Sequence, residues 1–200
     1  MAPHFVLEAL TLDFELVLVD RKANAQKSDA YLALNPQGKI PTLVEGDLVL
    51  FETSAICIHL AESVPSSNLM PQVGTQERAK CLQWMMYFTN TLQAETMMYF
   101  YPDRYAKTNE GALSISEIAE QRMTGIWTMI NTELEGKSFL LGENISVCDF
   151  FLFMLAVWSD ELKKPPLAYG TISGYLKNLA KQPAIIKVCE KEGLSLLDYQ

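Results

Sequence analysis

Along the first sixty residues the spacing of apolar positions changes repeatedly. Residues 3–10 carry them at helical intervals, 14–19 (Phe-Glu-Leu-Val-Leu-Val) read as a strand, and 28–34 read as a short helix. Two short β-runs follow, at 42–44 and 48–51, separated by the turn Glu45-Gly46-Asp47, and an apolar helix is predicted over 53–61. This alternation predicts a small α/β unit. At Ser63-Val64-Pro65-Ser66-Ser67-Asn68-Leu69-Met70-Pro71 prolines, serines and asparagine displace the periodic apolar positions, which predicts a linker over 64–75 between a domain at 1–63 and one at 76–200.

Beyond that linker every pattern is helical. Residues 77–101 form a long amphipathic run, and Ser114-Ile115-Ser116-Glu117 reads as a capping box opening a helix to about 135. Ser146-Val147-Cys148-Asp149 reads as a second box, with Ser146 and Asp149 each satisfying a backbone donor at the start of the most apolar helix, 150–158. Helices at 172–180 and 183–191 complete an all-α half.

Composition narrows the function classes. A 49% hydrophobic content supports a substantial core, and the longest apolar run is far short of the ~20 residues of a membrane span. A net charge of −8 argues against a nucleic-acid surface, because phosphate binding needs clustered cations. Cys57, Cys81, Cys148 and Cys189 are widely separated among apolar neighbours, which suits buried reduced thiols rather than a disulfide frame or a zinc site. No ligand cluster suggests a metal, and a start without a basic region is unlike a secretory signal, so a cytoplasmic location is expected. His4 and His59 are the only histidines. Either a surface or a capping role is expected for His4, and solvent or a domain contact for His59; no nucleophile elbow accompanies them.

Candidate chemistry concentrates in residues 35–60. Pro41 stands at a strand entrance, where a residue without an N–H leaves its neighbour's backbone free to pair with an extended ligand. Glu52-Thr53 opens a helix, where a hydroxyl and free N–H groups welcome a carboxylate. Each part alone is an ordinary structural device. Their spacing around one hairpin suits a small anionic peptide.

This arrangement resembles the glutathione-binding half of the cytosolic glutathione transferases, and the Ser146/Asp149 box resembles the one that starts the family's central C-terminal helix, where its role is folding. The resemblance covers nearly the whole chain. It implies an α/β thioredoxin-like N-terminal domain, incomplete at its N-terminus, followed by an all-α C-terminal helical domain. It implies that the Ile40 backbone and cis-Pro41 hold the cysteinyl part of glutathione, that Glu52 and Thr53 hold the γ-glutamyl end, with threonine where the family more often has serine, and that Lys39 faces the glycyl carboxylate. Glutathione is then a co-substrate, the partner a small hydrophobic electrophile, and the assembly a homodimer, with no metal, nucleic acid or membrane involved. A Met97-Met98-Tyr99-Phe100-Tyr101-Pro102 stretch suits either core packing or a pocket for varied apolar ligands. Tyr99 is assigned to that pocket, with Trp158 added by its similarity to a tryptophan lining the substrate site of beta-class bacterial enzymes.

The same resemblance leaves the catalytic residue unknown. Relatives activate the glutathione thiol with a tyrosine, serine or cysteine at the end of the first strand or just after it, and Met1-Ala2-Pro3-His4-Phe5 aligns with the helix that follows. A missing central strand would leave a gap of roughly 9.6 Å in the sheet and an unstable domain. Two explanations compete: a true start further upstream, which the intact downstream residues favour, or a decayed relative. A conjugating transferase is therefore the first reading, a non-catalytic transferase-like binding module the second, and a glutathione-dependent isomerase or dehalogenase the third.

Overall fold

Pro3 in the first turn presets its own φ and forfeits an N–H that has no helical partner there, and the chain enters α1 (Ala2–Ala9) directly. One face of α1 is lost to solvent: Ala2, Phe5 and Val6 are buried. Phe5 lies between Phe150 and Phe153, at ring separations of 6.1 and 5.9 Å, which fixes α1 against the helical half. Burying that one ring is worth about 1.5–3 kcal/mol. The computed structural model describes residues 1–200.

The predicted strand at 14–19 does not form. Residues 12–20 take up no regular element, and Leu16, Val17 and Leu18 stand 47%, 72% and 84% exposed. A strand exists through the ladder its backbone makes with a neighbour, and the only sheet here is the hairpin of β1 (Thr42–Glu45) and β2 (Leu48–Phe51). Its register pairs Thr42 with Phe51 and Glu45 with Leu48. Gly46 turns the corner at φ 58°, the positive value that mirror-image hairpin turns require at their first position. α2 (Asp29–Leu34), capped by Ser28, precedes the hairpin, and α3 (Thr53–Ser63) follows it and packs beside α1.

The long amphipathic run is one continuous rod interrupted by a π-helical turn. α4 (Gln76–Tyr87) is capped by Thr75, residues 88–92 widen to π geometry, and α5 (Gln93–Phe100) continues. α6 (Asn109–Glu133) begins five residues before the predicted box, because Thr108 accepts the Gly111 N–H at 3.1 Å and wins the cap. Ser114 is thereby left inside the helix, and Ser116 donates instead to the Tyr99 carbonyl at 3.2 Å. α7 (Val147–Trp158) is buried at every residue from Val147 to Ala156, with α8 (Gly170–Leu179) packed beside it and α9 (Pro183–Glu192) packed against α1. No helix is long and apolar enough to cross a membrane.

The Ser146/Asp149 box is present, and Asp149 does more than the sequence suggested. Its carboxylate accepts from the Ser146 N–H at 2.7 Å, the Ser146 hydroxyl at 2.9 Å, the Leu140 N–H at 2.8 Å and the Tyr175 hydroxyl at 2.7 Å. Burial pushes this carboxyl above the ordinary range while the surrounding donors pull it back. Asp149→Ala orphans those buried donors at about 1–3 kcal/mol each, only part of which relaxation recovers. A net loss of about 3–5 kcal/mol is expected, read as a lower urea midpoint with an unchanged m-value.

A second polar device ties α1 to α9. Glu8, its side chain 5% exposed, is gripped by Lys187 at 2.5 Å and Lys191 at 2.7 Å. His4 is neither a surface nor a capping residue: it is 4% exposed, and its Nδ1 meets Glu192 at 2.9 Å. Pro3 sets the helix start, and position 4 then turns inward toward α9. Burial pushes the Glu8 carboxyl up, and the two ammonium groups outweigh it, so its pKa lies below the usual carboxylate value. A depressed carboxyl contributes stability that is complete above its unfolded pKa and lost as pH falls through the folded one. Glu8→Gln should therefore lower the melting temperature at pH 7, with the gap to wild type closing as pH falls below the ordinary carboxylate range. A gap that is constant with pH would refute an electrostatic clamp.

Candidate functional site

The loop between α2 and β1 is braced from inside. Asn35, 2% exposed, accepts the Gln37 N–H at 3.1 Å and donates to the Lys39 carbonyl at 2.7 Å, and the Tyr31 hydroxyl reaches the same carbonyl at 2.8 Å. Gly38 sits at φ 57° with Lys27 Nζ 2.7 Å and the Gln26 carbonyl 2.8 Å from where a Cβ would stand, so no larger residue fits. With its carbonyl held inward, Lys39 points an unpaired side chain outward. The next residue differs: Ile40 engages neither its N–H nor its C=O in any hydrogen bond of the chain, and the Ile40–Pro41 peptide is cis.

Register carries this loop to the start of α3. The ladder ends with Thr42 opposite Phe51, and the chain leaves that last pair through Lys39-Ile40-Pro41 on one side and through Glu52 and Thr53 on the other. All five residues lie within three positions of it. Glu52 holds φ 75° and ψ 117°, a left-handed conformation that a β-carbon disfavours, and this corner aims the first turn of α3. The Thr53 hydroxyl has no partner in the chain, whereas the Ser54 hydroxyl bonds the Thr89 hydroxyl and reaches the Met85 carbonyl at 3.4 Å. Ser54 is therefore spent on packing against the π turn, and Thr53 is left free beside a helix N-terminus.

The other two site candidates lie elsewhere. Tyr99 is near the end of α5, its hydroxyl 3.5 Å from the Glu161 carbonyl, and Trp158, 36% exposed, ends α7 just before that same turn. No hydrogen bond joins either to the hairpin end. Burial, with the nearby Glu120 carboxylate adding to it, pushes the Tyr99 hydroxyl up. Sequence reasoning missed the braces Tyr31 and Asn35, for which the Asn35-Pro36-Gln37-Gly38 turn was the available signal. It also missed a cluster across the seam between the two halves: Arg21 Nη2 donates to the Tyr101 hydroxyl at 3.2 Å, and the Arg104 guanidinium lies 4.1 Å over the Tyr101 ring.

The four cysteines are free and buried. Burial pushes the Cys57 thiol up to about 12 and the Cys189 thiol up to about 11, and it raises Cys148 well above the ordinary range. These three thiols are thus poor nucleophiles. No group of three or more His, Cys, Asp or Glu could hold a metal ion. His59 pairs with Glu45 at 2.6 Å on the outer face of the hairpin.

The Glu52 corner yields a measurable expectation. Glu52→Gly removes the β-carbon from a left-handed position and Glu52→Ala keeps it, so the glycine variant should be the more stable of the two by about 1 kcal/mol. Thermal melts of the pair decide it, and the opposite order would show that the corner carries no strain.

The chain is similar to known proteins over most of its length. Residues 1–62 match the glutathione S-transferase N-terminal domain and residues 92–183 the C-terminal domain. Glutathione S-transferase GstA of Escherichia coli O157:H7 is 28% identical over 196 residues, spanning 97% of this chain and 94% of the relative. A glutathione transferase homolog from sulfitobacter, solved with bound glutathione, superposes at a TM-score of 0.89 with 25% identity over 96% of this chain and 93% of its own. The bacterial beta class glutathione S-transferase of Sphingomonas chungbukensis superposes at 0.83 with 26% identity, over 97% of this chain and 94% of its own. With both domains matched in order across most of its length, the chain belongs to the glutathione S-transferase family.

Proposed function

We propose that the protein is a glutathione transferase that conjugates glutathione to small hydrophobic electrophiles, working as a homodimer in the cytoplasm. The observation that supports this reading is the hairpin end, where the Ile40 backbone is unpaired just before β1 and Glu52 and the free Thr53 hydroxyl follow β2. An extended cysteinyl residue completes an antiparallel pair with Ile40, as an added strand would. Glu52 meets the γ-glutamyl ammonium, while Thr53 and the N-terminus of α3 take the adjoining carboxylate. Lys39 stands ready for the glycyl carboxylate. This division assigns binding to residues 1–63 and the electrophile to 76–200, through Tyr99 and Trp158.

Conjugation itself is attack by the glutathione thiolate on an electrophilic carbon, forming the C–S bond as the leaving group departs or the acceptor takes up the electron pair. A free thiol titrates near 8.5, so a site must favour the anion by hydrogen bonding or positive potential. The α3 N-terminus and Lys39 supply positive potential here; no residue of this chain is assigned as the direct donor to sulfur. Exposed Leu82 and Met86 on α4 and Met129 on α6 support a contact between two copies. Four free thiols suit a reducing compartment.

Calorimetric titration with reduced glutathione tests the site. One site per chain is expected, on a particle whose light-scattering mass is that of two chains, and Glu52→Gln and Thr53→Val should each weaken binding about tenfold, the loss of one charge-assisted contact. A folded protein that takes up no glutathione would sink the proposal.

A further inference from the structure

The chain has four arginines, and their surroundings divide them into two pairs. Arg78 is ion-paired with Glu62, and Arg122 with Glu95 at 3.3 Å. Arg21 and Arg104 form no ion pair, although the chain carries 24 acidic residues and a net charge of −8. Instead they converge on one aromatic ring, Arg21 at the Tyr101 hydroxyl and Arg104 over the Tyr101 face. The nearest acids in sequence do not neutralise them. Asp20 turns back to the Lys22 and Ala23 N–H groups at 2.9 and 3.1 Å, and Asp103 joins no ion pair. Two guanidinium groups held together without a carboxylate leave a fork of N–H donors in search of an anion.

Their place along the fold says which anion. The rod from α4 to α5 touches the start of α3 at Thr89, and Tyr101 lies twelve residues further on, about 18 Å along a helix. An extended tripeptide occupies about 10 Å of such a span. Tyr101 closes the Met97 to Phe100 stretch at the end of that rod, so an apolar second molecule lying along the stretch would meet both guanidinium groups. Resting on the function proposed above, we infer that Arg21 and Arg104, mounted on Tyr101, form an anion-binding end to the electrophile pocket, so that the preferred second substrates carry a carboxylate remote from their reacting carbon.

The test separates this inference from the reading it rests on by measuring binding of finished conjugates, which needs no turnover. S-(4-carboxy-2-nitrophenyl)glutathione and its methyl ester differ only in the charge at the far end, and each is titrated against the full-length protein beside glutathione itself. The acid is expected to bind at least about tenfold more tightly than the ester, with a preference that shrinks as salt is raised. The doubly substituted Arg21→Gln, Arg104→Gln protein should bind acid and ester alike, with its affinity for glutathione unchanged. The corresponding lysine variants should keep part of the preference, and all of them should melt close to wild type because both side chains are exposed. Equal binding of acid and ester by the wild-type protein, with glutathione bound, overturns this inference alone. Loss of glutathione affinity in the double variant also overturns it, since the arginines would then serve a carboxylate of glutathione. Absence of any glutathione binding removes the function proposed above and this inference together.

Discussion

α7 can be buried from Val147 to Ala156 only because the polar groups at its entrance find partners away from water, and the Asp149 carboxylate gathers them. It draws in the Ser146 N–H, the preceding loop through Leu140 and α8 through Tyr175. With that helix fixed, Phe5 has a surface to stack on, α1 has a place, and α3 packs beside α1. The orientation of α3 then decides where Thr53 and the end of the hairpin stand. A charge far from the candidate site is thus the first link in the chain of contacts that shapes it.

The hairpin, the cap of α7, the proline-led helices α1 and α9 and the amphipathic rod were legible because each is written in adjacent residues. Features that depend on residues distant in sequence were not. The 14–19 segment has the composition of a strand, but a strand needs a neighbour, and local periodicity carries no information about one. Ser114 to Glu117 has the letters of a capping box, yet Thr108 lies earlier on a helix that had already begun. His4 looked superficial until α9, nearly two hundred residues away in sequence, was seen to cover it.

The candidate site was legible in a similar, partial way. Pro41, Glu52 and Thr53 fall within one short stretch, on residues that flank the last pair of the hairpin. The braces that hold Lys39 and Ile40 in place could not be read from the pattern, because Tyr31 serves through its terminal hydroxyl and Asn35 through both ends of its amide. The thiols make a complementary point. By placing Cys57, Cys148 and Cys189 where burial disfavours the thiolate, the fold keeps those sulfurs out of the chemistry proposed for a bound one.

The clamp between α1 and α9 also has a mechanical meaning. The N-terminal half is joined to the helical half covalently through residues 64–75, and a second time where Glu8 meets Lys187 and Lys191. The chain is therefore closed into a ring, one link of which is a peptide and the other a set of ion pairs. Two halves joined at a single point can swing like a door. Joined at two, they can open only by letting go of one, and the charges act there beside the apolar stack of Phe5 on Phe150 and Phe153.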